Sequence, residues 1–438
     1  MKGDHDRRNI PRNLTGRCPA SHSTGVPVDV PGSDPEEIVH ARLVMLLWVS
    51  GLLAACGAGD ANMPVATVRD SAGVAIVENV FPDSAAVQWW SLAQPELDIG
   101  NAEAAEVYSV YQVTDALRLA DGSVVVANGG SGDIRYYAAD GTHLHTSGRR
   151  GDGPGEFQRP QRLIVLPPDS VLVVDRARTT VLDAAGVHVR DFMPGGAGTR
   201  VNVVGRLVDG RLVGAGSAVF GESISSGFHR TDIAFLTLSP SGEVVDTMVN
   251  VPGSERTIHV DGPGGQIRSI MVIAPPFAKN TVYAATGDVL VVATQESPEI
   301  RVFGADGALR RIIRTGIPMP AVTEEHLEAV FERQREGLPA ERRAQMVTRP
   351  DWPDAGKVVP PFGTIEIDDA GNFWFADYDD LIRTPGTWSV HDPEGRLIAR
   401  VRMPERFQPM HIGRDFVLGV ERDELDVEHV RLHRLLKG

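Results

Sequence analysis

The chain has 438 residues, 42% of them apolar, and a formal net charge of −15. The apolar content is enough for a packed core and excludes wholesale disorder, while the length admits two or three domains or one large ring. The acidic balance disfavours nucleic acid as a partner, because that binding depends on neutralising phosphates with Lys and Arg.

Residues 1–38 are polar, rich in Pro and Gly, and without periodicity. They read as a disordered extension or as sequence ahead of a true start near Val39, which would leave Val-His-Ala-Arg as a short basic n-region. Residues 43–55, LVMLLWVSGLLAA, form one apolar run. It is too short to span a bilayer comfortably and has the length of a signal-peptide h-region. It ends at Cys56, and Leu53-Ala-Ala-Cys56 resembles the lipobox of bacterial lipoproteins. That resemblance implies a signal peptide over 39–56, acylation of Cys56, and a membrane anchor in the cell envelope. Residues 57–68 then read as a flexible tether. The only other cysteine is Cys18, so the body is expected to hold no disulfide and no thiolate metal site.

From residue 69 on, short runs of Val, Ile, Leu and aromatics alternate with tight turns. Gly73-Val-Ala-Ile-Val-Glu-Asn-Val80 is an isolated strand. Paired turns follow down the chain: Asp121-Gly122 with Asp140-Gly141, Pro168-Asp169 with Ala185-Gly186, and Asp209-Gly210 with Ser241-Gly242. Gly287-Asp288 with Asp306-Gly307, then Ala370-Gly371 with Glu394-Gly395, complete the series. Gly closes such hairpins because it accepts positive φ without a Cβ clash. Each pair of turns delimits four strands, a to d, and four-stranded units in series predict an all-β propeller. Six units begin near Val113, Leu163, Val203, Asn280, Gly363 and His411. The third contains an inserted loop over residues 220–230. The sixth has only three strands of its own, and the strand after Gly73 is expected to complete it and close the ring, which removes open edges.

Gly151-Asp-Gly-Pro-Gly-Glu-Phe157, then Pro160, then an apolar strand ending at Val174-Asp175, resembles the NHL-type repeat. The chain over residues 65–438 is similar to six-bladed β-propeller lipoproteins of bacteria, of the NHL and TolB-like superfamily. Only the second unit carries a clean signature. That superfamily holds binding modules as well as enzymes, so the resemblance alone does not choose a function.

A helical insertion is predicted over residues 322–347. Thr323 is a candidate N-cap with two acids behind it, and Leu327, Val330 and Phe331 share a face. Gly337 ends the helix and Pro339 opens a shorter one. The face reads either as a brace on the rim or as a docking helix for a partner.

In a ring of such units the a–b and c–d turns are tight and share one rim. The longer b–c and d–a links share the other, where function concentrates. That face is expected to present Arg149, Arg150 and Asp152, then Asp175, Arg176 and Arg178, then His229 and Arg230. Gln295 and Glu296, Asp377, Tyr378 and Asp380, and Glu421, Arg422 and Asp423 complete it. The mixture suits a polar or anionic ligand, a peptide, a glycan or an envelope protein, because Arg binds carboxylates and phosphates bidentately. The competing reading is a rim of structural ion pairs.

Other patterns carry less. Arg150-Gly-Asp152 is a tripeptide within a repeat-specific crossing. Asp368, Asp369, Asp377, Asp379 and Asp380 lack EF-hand spacing and divide between opposite rims. His143 and His145 fall on an outer strand, His326 has no HExxH partner, and no G-x-S-x-G elbow occurs. Propeller lyases and lactonases hold a metal with inner-strand His, Asn or Glu. Here Asp115 and His411 are the only polar residues read at the starts of inner strands, which falls short of a metal site. The expected function is therefore a lipid-anchored, monomeric binding module outside the cytoplasm, with no cofactor. The alternative is a metal-dependent propeller hydrolase or lyase with a divalent ion on the axis.

Overall fold

A computed structural model of the chain describes residues 66–80, 87–100, 105–176, 178–196, 201–217, 225–261, 268–378 and 386–438. The extension, the signal segment, Cys56 and the tether up to residue 65 lie outside the described residues, as do Asp379 and Asp380. Pro64–Gly438 forms one compact unit.

The body is built of consecutive antiparallel four-stranded sheets. The first runs Val113–Arg118, Val124–Asn128, Asp133–Tyr137, His143–Ser147. The second runs Arg162–Leu166, Ser170–Val174, Thr179–Leu182, His188–Phe192. The third comprises Val201–Arg206, Leu212–Ser217, Ile233–Leu238 and Val244–Val251. In the fourth, Val282–Thr286 and Val289–Ala293 precede Glu299–Gly304 and Leu309–Arg314. The fifth holds Phe362–Ile367, Phe373–Asp377, Thr387–His391 and Leu397–Arg402. The last begins with Phe407–Ile412, Phe416–Arg422 and Glu428–Leu436.

Turn chemistry explains this grammar. Gly122, Gly141, Gly186, Gly210, Gly242, Gly307, Gly371 and Gly395 all have φ between 74° and 91°, where a Cβ would be strained. Asp121, Asp140, Asp209 and Asp306 each accept the backbone N–H two residues on, at 2.9–3.1 Å. That bond fixes the turn and, with the Ser123 hydroxyl as the larger cause at Asp121, holds each carboxyl below its ordinary range.

The first strands of successive sheets lie side by side: 113–118 beside 162–166, then 201–206, 282–286 and 362–367, with 407–412 again beside 113–118. The core is divided accordingly, each cluster filling the gap between two neighbouring sheets. Trp374 and Trp388 of the fifth meet Phe407 and Val417 of the last, while Val430 and Leu432 of the last meet Ala116 and Val126 of the first. A meander of sheets around a ring of inner strands is the arrangement of a β-propeller.

The strand that completes the last sheet differs from the expected one. It is Gln88–Ile99, antiparallel to Glu428–Leu436, and its first three residues also pair in parallel with Ala399, Arg400 and Val401 of the fifth sheet. The strand Val74–Asn79 lies instead on the outer edge of the fourth sheet, parallel to Leu309–Arg314, with Ala66–Ser71 folded back on it. The physical reason is length and burial. The twelve residues of Gln88–Ile99 reach two sheets and bury Trp90, Leu97 and Ile99, whereas the six residues of Val74–Asn79 reach one sheet edge and bury Ile76, Val77 and Asn79 there. The strand Ala66–Ser71 also begins inside the stretch read as tether.

The loop of the third sheet is likewise more structured than expected. Gly227–Arg230 pairs with Glu255–Asp261, and Ser269–Ile273 adds a third strand, giving a separate small sheet. Between the fourth and fifth sheets, helix α1 (Glu324–Glu336) is capped reciprocally. Thr323 Oγ1 accepts from His326 N, and Thr323 N donates to His326 Nδ1. Val330 and Phe331 are its buried residues, and a short helix α2 (Ala340–Gln345) follows.

If Gln88–Ile99 closes the ring, Ile99→Ala costs about 2–5 kcal/mol in denaturant unfolding. Val68→Ala, on the exposed outer hairpin, changes stability by less than about 0.5 kcal/mol. Equal losses at the two positions contradict this assignment.

Candidate functional site

The residues read as a ligand face are largely occupied by the fold. Arg149 Nη2 pairs with Glu156 at 2.7 Å, and Arg150 donates to the carbonyls of Gly129 and Gly130. Asp175 is buried and accepts the N–H groups of Gln158, Arg159 and Arg176 at 2.6–2.8 Å, which clamps the Gly-Pro-Gly-Glu-Phe crossing onto the second sheet. Arg178 donates to the carbonyls of Asp152, Gly153 and Glu156. His229 meets the carbonyl of Ser225, and Arg230 ties Gly253 to Thr294 and Glu296 of the fourth sheet. Gln295 is buried at the seam between the fourth and fifth sheets, bonding Asn280 N and Phe362 O. Asp377 pairs with Arg400 at 2.7 Å, Tyr378 lies 6.1 Å from the Phe277 ring, and Arg422 pairs with Glu428 at 2.6 Å.

Besides a cleft of about 690 Å³ lined by Arg211, Asp246, Asp306 and Arg310 and one of about 170 Å³ at His229 and Arg256, two places bear on the candidate charges. One is a cleft of about 680 Å³ at the outer end of the second sheet, whose lining includes Asp152, Asp175, Arg176, Arg178 and Asp191. Its polar groups are mostly spent: Asp191 already accepts from Thr180 and contacts His188. Arg176 alone offers an exposed side chain with no partner among the described residues.

The other place is the axis, where polar groups are only partly spent. The inner strands bring Asp115 from the first sheet, Arg162 from the second, Glu366 from the fifth and His411 from the last into one electrostatic neighbourhood. Asp115 Oδ1 accepts Ala116 N at 2.9 Å and Oδ2 accepts Leu163 N at 2.8 Å, which welds the first two inner strands. Arg162 is exposed, donates through Nη1 to Val204 O at 2.8 Å, and forms no ion pair among the described residues. His411 Nδ1 accepts from Arg118 N at 2.9 Å, so the proton sits on Nε2, which lies 3.1 Å from Asp369 Oδ1. Glu366, between Ile365 and Ile367, has no hydrogen-bond partner among the described residues.

Burial raises the Asp115 carboxyl to about 6 and the Glu366 carboxyl to about 7. In both cases Arg162 is the strongest influence in the other direction, with His411 weaker. Both side chains keep a partial opening to solvent, yet protein surrounds them, and desolvation of the charged form wins. The strands carrying Arg162 and Glu366 are separated by two inner strands on either side of the ring, and the Arg162 charge still pulls the Glu366 carboxyl down against its burial.

Sequence reading found Asp115 and His411 and missed Arg162 and Glu366. Their signal was present: each is a charge in an otherwise apolar first strand, Arg162-Leu-Ile-Val-Leu and Phe362-Gly-Thr-Ile-Glu-Ile. Reading the inner strands beyond their first two or three residues would have found Glu366. Of the aspartate cluster, Asp368 and Asp377 lie at opposite ends of the strand Phe373–Asp377, and Asp379 and Asp380 are outside the described residues. Asp368 is buried and accepts Ala370 N, Asn372 N, Asn372 Nδ2 and Trp374 Nε1 at 2.8–2.9 Å, so it is a structural acid. Among the described residues no group of three His, Cys, Asp or Glu is placed to hold a metal ion.

The fold and its axis define the class: a propeller-like, mostly β chain with an ionisable lumen. No known protein family matches the chain, and no curated protein does. Several solved structures are similar to it in overall shape. A candidate exported protein of Bacteroides fragilis shares 10% identity, with 83% of this chain and 99% of that one covered and a TM-score of 0.46. A gluconolactonase of Xanthomonas campestris shares 14%, with 79% and 97% covered and a TM-score of 0.39. A virginiamycin B lyase of Staphylococcus aureus shares 10%, with 74% and 80% covered and a TM-score of 0.37.

The axis makes a direct demand on stability. An acid whose folded value is raised stabilises the fold below its unfolded value and loses that contribution as pH rises through the folded one. For Glu366 the window runs from 4.5 to about 7, and for Asp115 from 3.8 to about 6. Glu366 alone accounts for up to about 3 kcal/mol, less whatever the water in the lumen screens. Urea midpoints measured from pH 4.5 to 8 are therefore expected to fall for the wild type. Glu366→Gln flattens that fall and is the more stable protein at pH 8. Parallel profiles for the two proteins contradict the assignment.

Proposed function

We propose that the chain is a six-bladed β-propeller, anchored outside the cytoplasm through acylated Cys56, that binds a small polar ligand on its axis. The observation that carries this reading is the pair Arg162 and Glu366. Opposite charges facing one lumen normally close into an ion pair. Here neither does, although each lies within the other's field. Glu366 is half-buried with no hydrogen-bond partner among the described residues, and its retention in an inner strand supports a partner that arrives later. Asp115 stays largely committed to the strands beneath it, and His411 braces the rim between Arg118 and Asp369. The lipobox-like run before Cys56 supports the anchor, and the sheet-by-sheet core supports a ring of six.

A second reading rests on a separate observation. Carboxyls near 6 and 7 are poised for proton transfer at neutral pH, so Asp115 and Glu366 could serve as acid and base in a hydrolase or lyase. The donor set does not suit the metal-dependent version of that reading, and no step is routed through a metal.

Two measurements test the proposal. Labelling cells with radioactive palmitate is expected to mark the wild type and not Cys56→Ser; an unlabelled wild type removes the anchor. A thermal-shift screen of polar metabolites is expected to give hits that Arg162→Ala reduces at least tenfold in affinity. Hits that survive both Arg162→Ala and Glu366→Ala move the site off the axis, to the cleft at Arg176.

A further inference from the structure

We infer that the strand Ser269–Ile273 is a self-association edge, through which two copies of this chain pair antiparallel about a two-fold axis at Met271. The inference is independent of the axial site and departs from the monomer expected from sequence. Ser269–Ile273 is the last strand of the small sheet that it forms with Gly227–Arg230 and Glu255–Asp261. One side of it pairs with Glu255–Asp261, and among the described residues nothing pairs with the other. All five residues, Ser-Ile-Met-Val-Ile, are exposed, the four apolar ones at 40–61%. The register puts Ile270 and Val272 on one face with Ile258 and Val260. Met271 and Ile273 stand on the other face, where the exposed Phe228 joins them across Thr257.

The other outer edges among the described residues are guarded. His143–Ser147 carries two imidazoles, His188–Phe192 carries Arg190 and Asp191, and Val244–Val251 carries Asp246. Each of these three is also bulged against its neighbour. Ala66–Ser71 carries Arg69 and Asp70, and the far edge of the small sheet carries His229 and Arg230. Charges and bulges are the devices that keep strand edges from pairing. Ser269–Ile273 has no charge, no proline and a regular register. Its open backbone groups and its two apolar faces are met together by another strand, whereas a helix or a lipid surface laid on one face leaves the edge bare.

Charge selects the strand. Two copies of a chain carrying −15 repel each other unless the contact itself is neutral. A two-fold axis at Met271 sets Ser269 of one copy opposite Ile273 of the other, Ile270 opposite Val272, and Met271 opposite Met271, with no charge in any pair. Arg268 and Asp261 flank one end of the strand. Antiparallel pairing sends these charges to opposite ends, whereas parallel pairing sets Arg268 beside Arg268, which is unfavourable. The contact is isologous and uses the edge once per copy, so assembly stops at two. The patch is smaller than a standard interface, which makes the dimer weak and concentration-dependent.

Two experiments on the full chain test this. Sedimentation equilibrium in mild detergent is expected to show a monomer–dimer equilibrium that tightens as salt screens the net charge. Met271→Lys sets two ammonium groups against each other at the two-fold axis and is expected to weaken the dimer tenfold or more. Leu425→Lys, at a site 83% exposed and outside the small sheet, leaves it unchanged. Oxidative cross-linking in cell membranes reads the register without adding a charge, with the wild type, which carries Cys18 and Cys56, as background. Met271→Cys is expected to give a disulfide-linked dimer, and Ile270→Cys mixed with Val272→Cys a second one. Arg69→Cys, on the outer edge of the fourth sheet, is expected to give none. Absence of the cross-link at 271 overturns the inference, as does one equally strong at 69. So does a dimer that Met271→Lys leaves intact, or open-ended aggregation in place of a dimer.

Discussion

The structure depends on one strand. Gln88–Ile99 pairs along most of its length with Glu428–Leu436, and at its start with Leu397–Arg402. It thereby supplies the last sheet with its missing edge and ties that sheet to the one before it. Closing the ring fixes the spacing of the inner strands, and that spacing brings a guanidinium on the second sheet within the field of a carboxyl on the fifth. An open meander would let Arg162 and Glu366 find water or other partners. The closed one keeps them on opposite strands, with Glu366 half-buried and Arg162 exposed.

This closure also shows where local sequence signals stop. The turns were legible because their cause is local: a glycine at positive φ and an aspartate that bonds the N–H two residues on. The cap of helix α1 was legible for the same reason, through Thr323 and the acids that follow it. Which strand completes the last sheet was not. Only the run after Gly73 was read as a strand there, and the strand Gln88–Ile99 was missed. The latter carries Trp90, Leu97 and Ile99 into gaps that the other sheets leave open. The small sheet of Gly227–Arg230, Glu255–Asp261 and Ser269–Ile273 was hidden because its strands are far apart in sequence and interrupted by links.

The site was half legible. Asp115 and His411 stood out as polar residues near the starts of inner strands, but a count of polar residues does not say which are already satisfied. The structure divides them differently. Asp115 and His411 have their polar atoms engaged, Arg162 spends one edge on the Val204 carbonyl, and Glu366 has no hydrogen-bond partner among the described residues. The rim charges show the converse. Arg178, Arg230 and Asp175 look like ligand-binding groups in the sequence, and each proves to hold loops and sheets together through carbonyls and N–H groups. Hydrogen-bond saturation, which depends on three-dimensional placement, is what separates a structural charge from an available one.

The central claim is that Glu366 sits on the axis as a carboxyl that is desolvated and unpaired. The most direct test is its own titration. Carbon-13 spectra of protein labelled at glutamate carboxyls, assigned by comparison with Glu366→Gln, would follow that single resonance from pH 4 to 9. The account predicts a midpoint near 7, shifted downward by Arg162 and upward again in Arg162→Ala. A midpoint at the ordinary glutamate value, unmoved by Arg162→Ala, would contradict it.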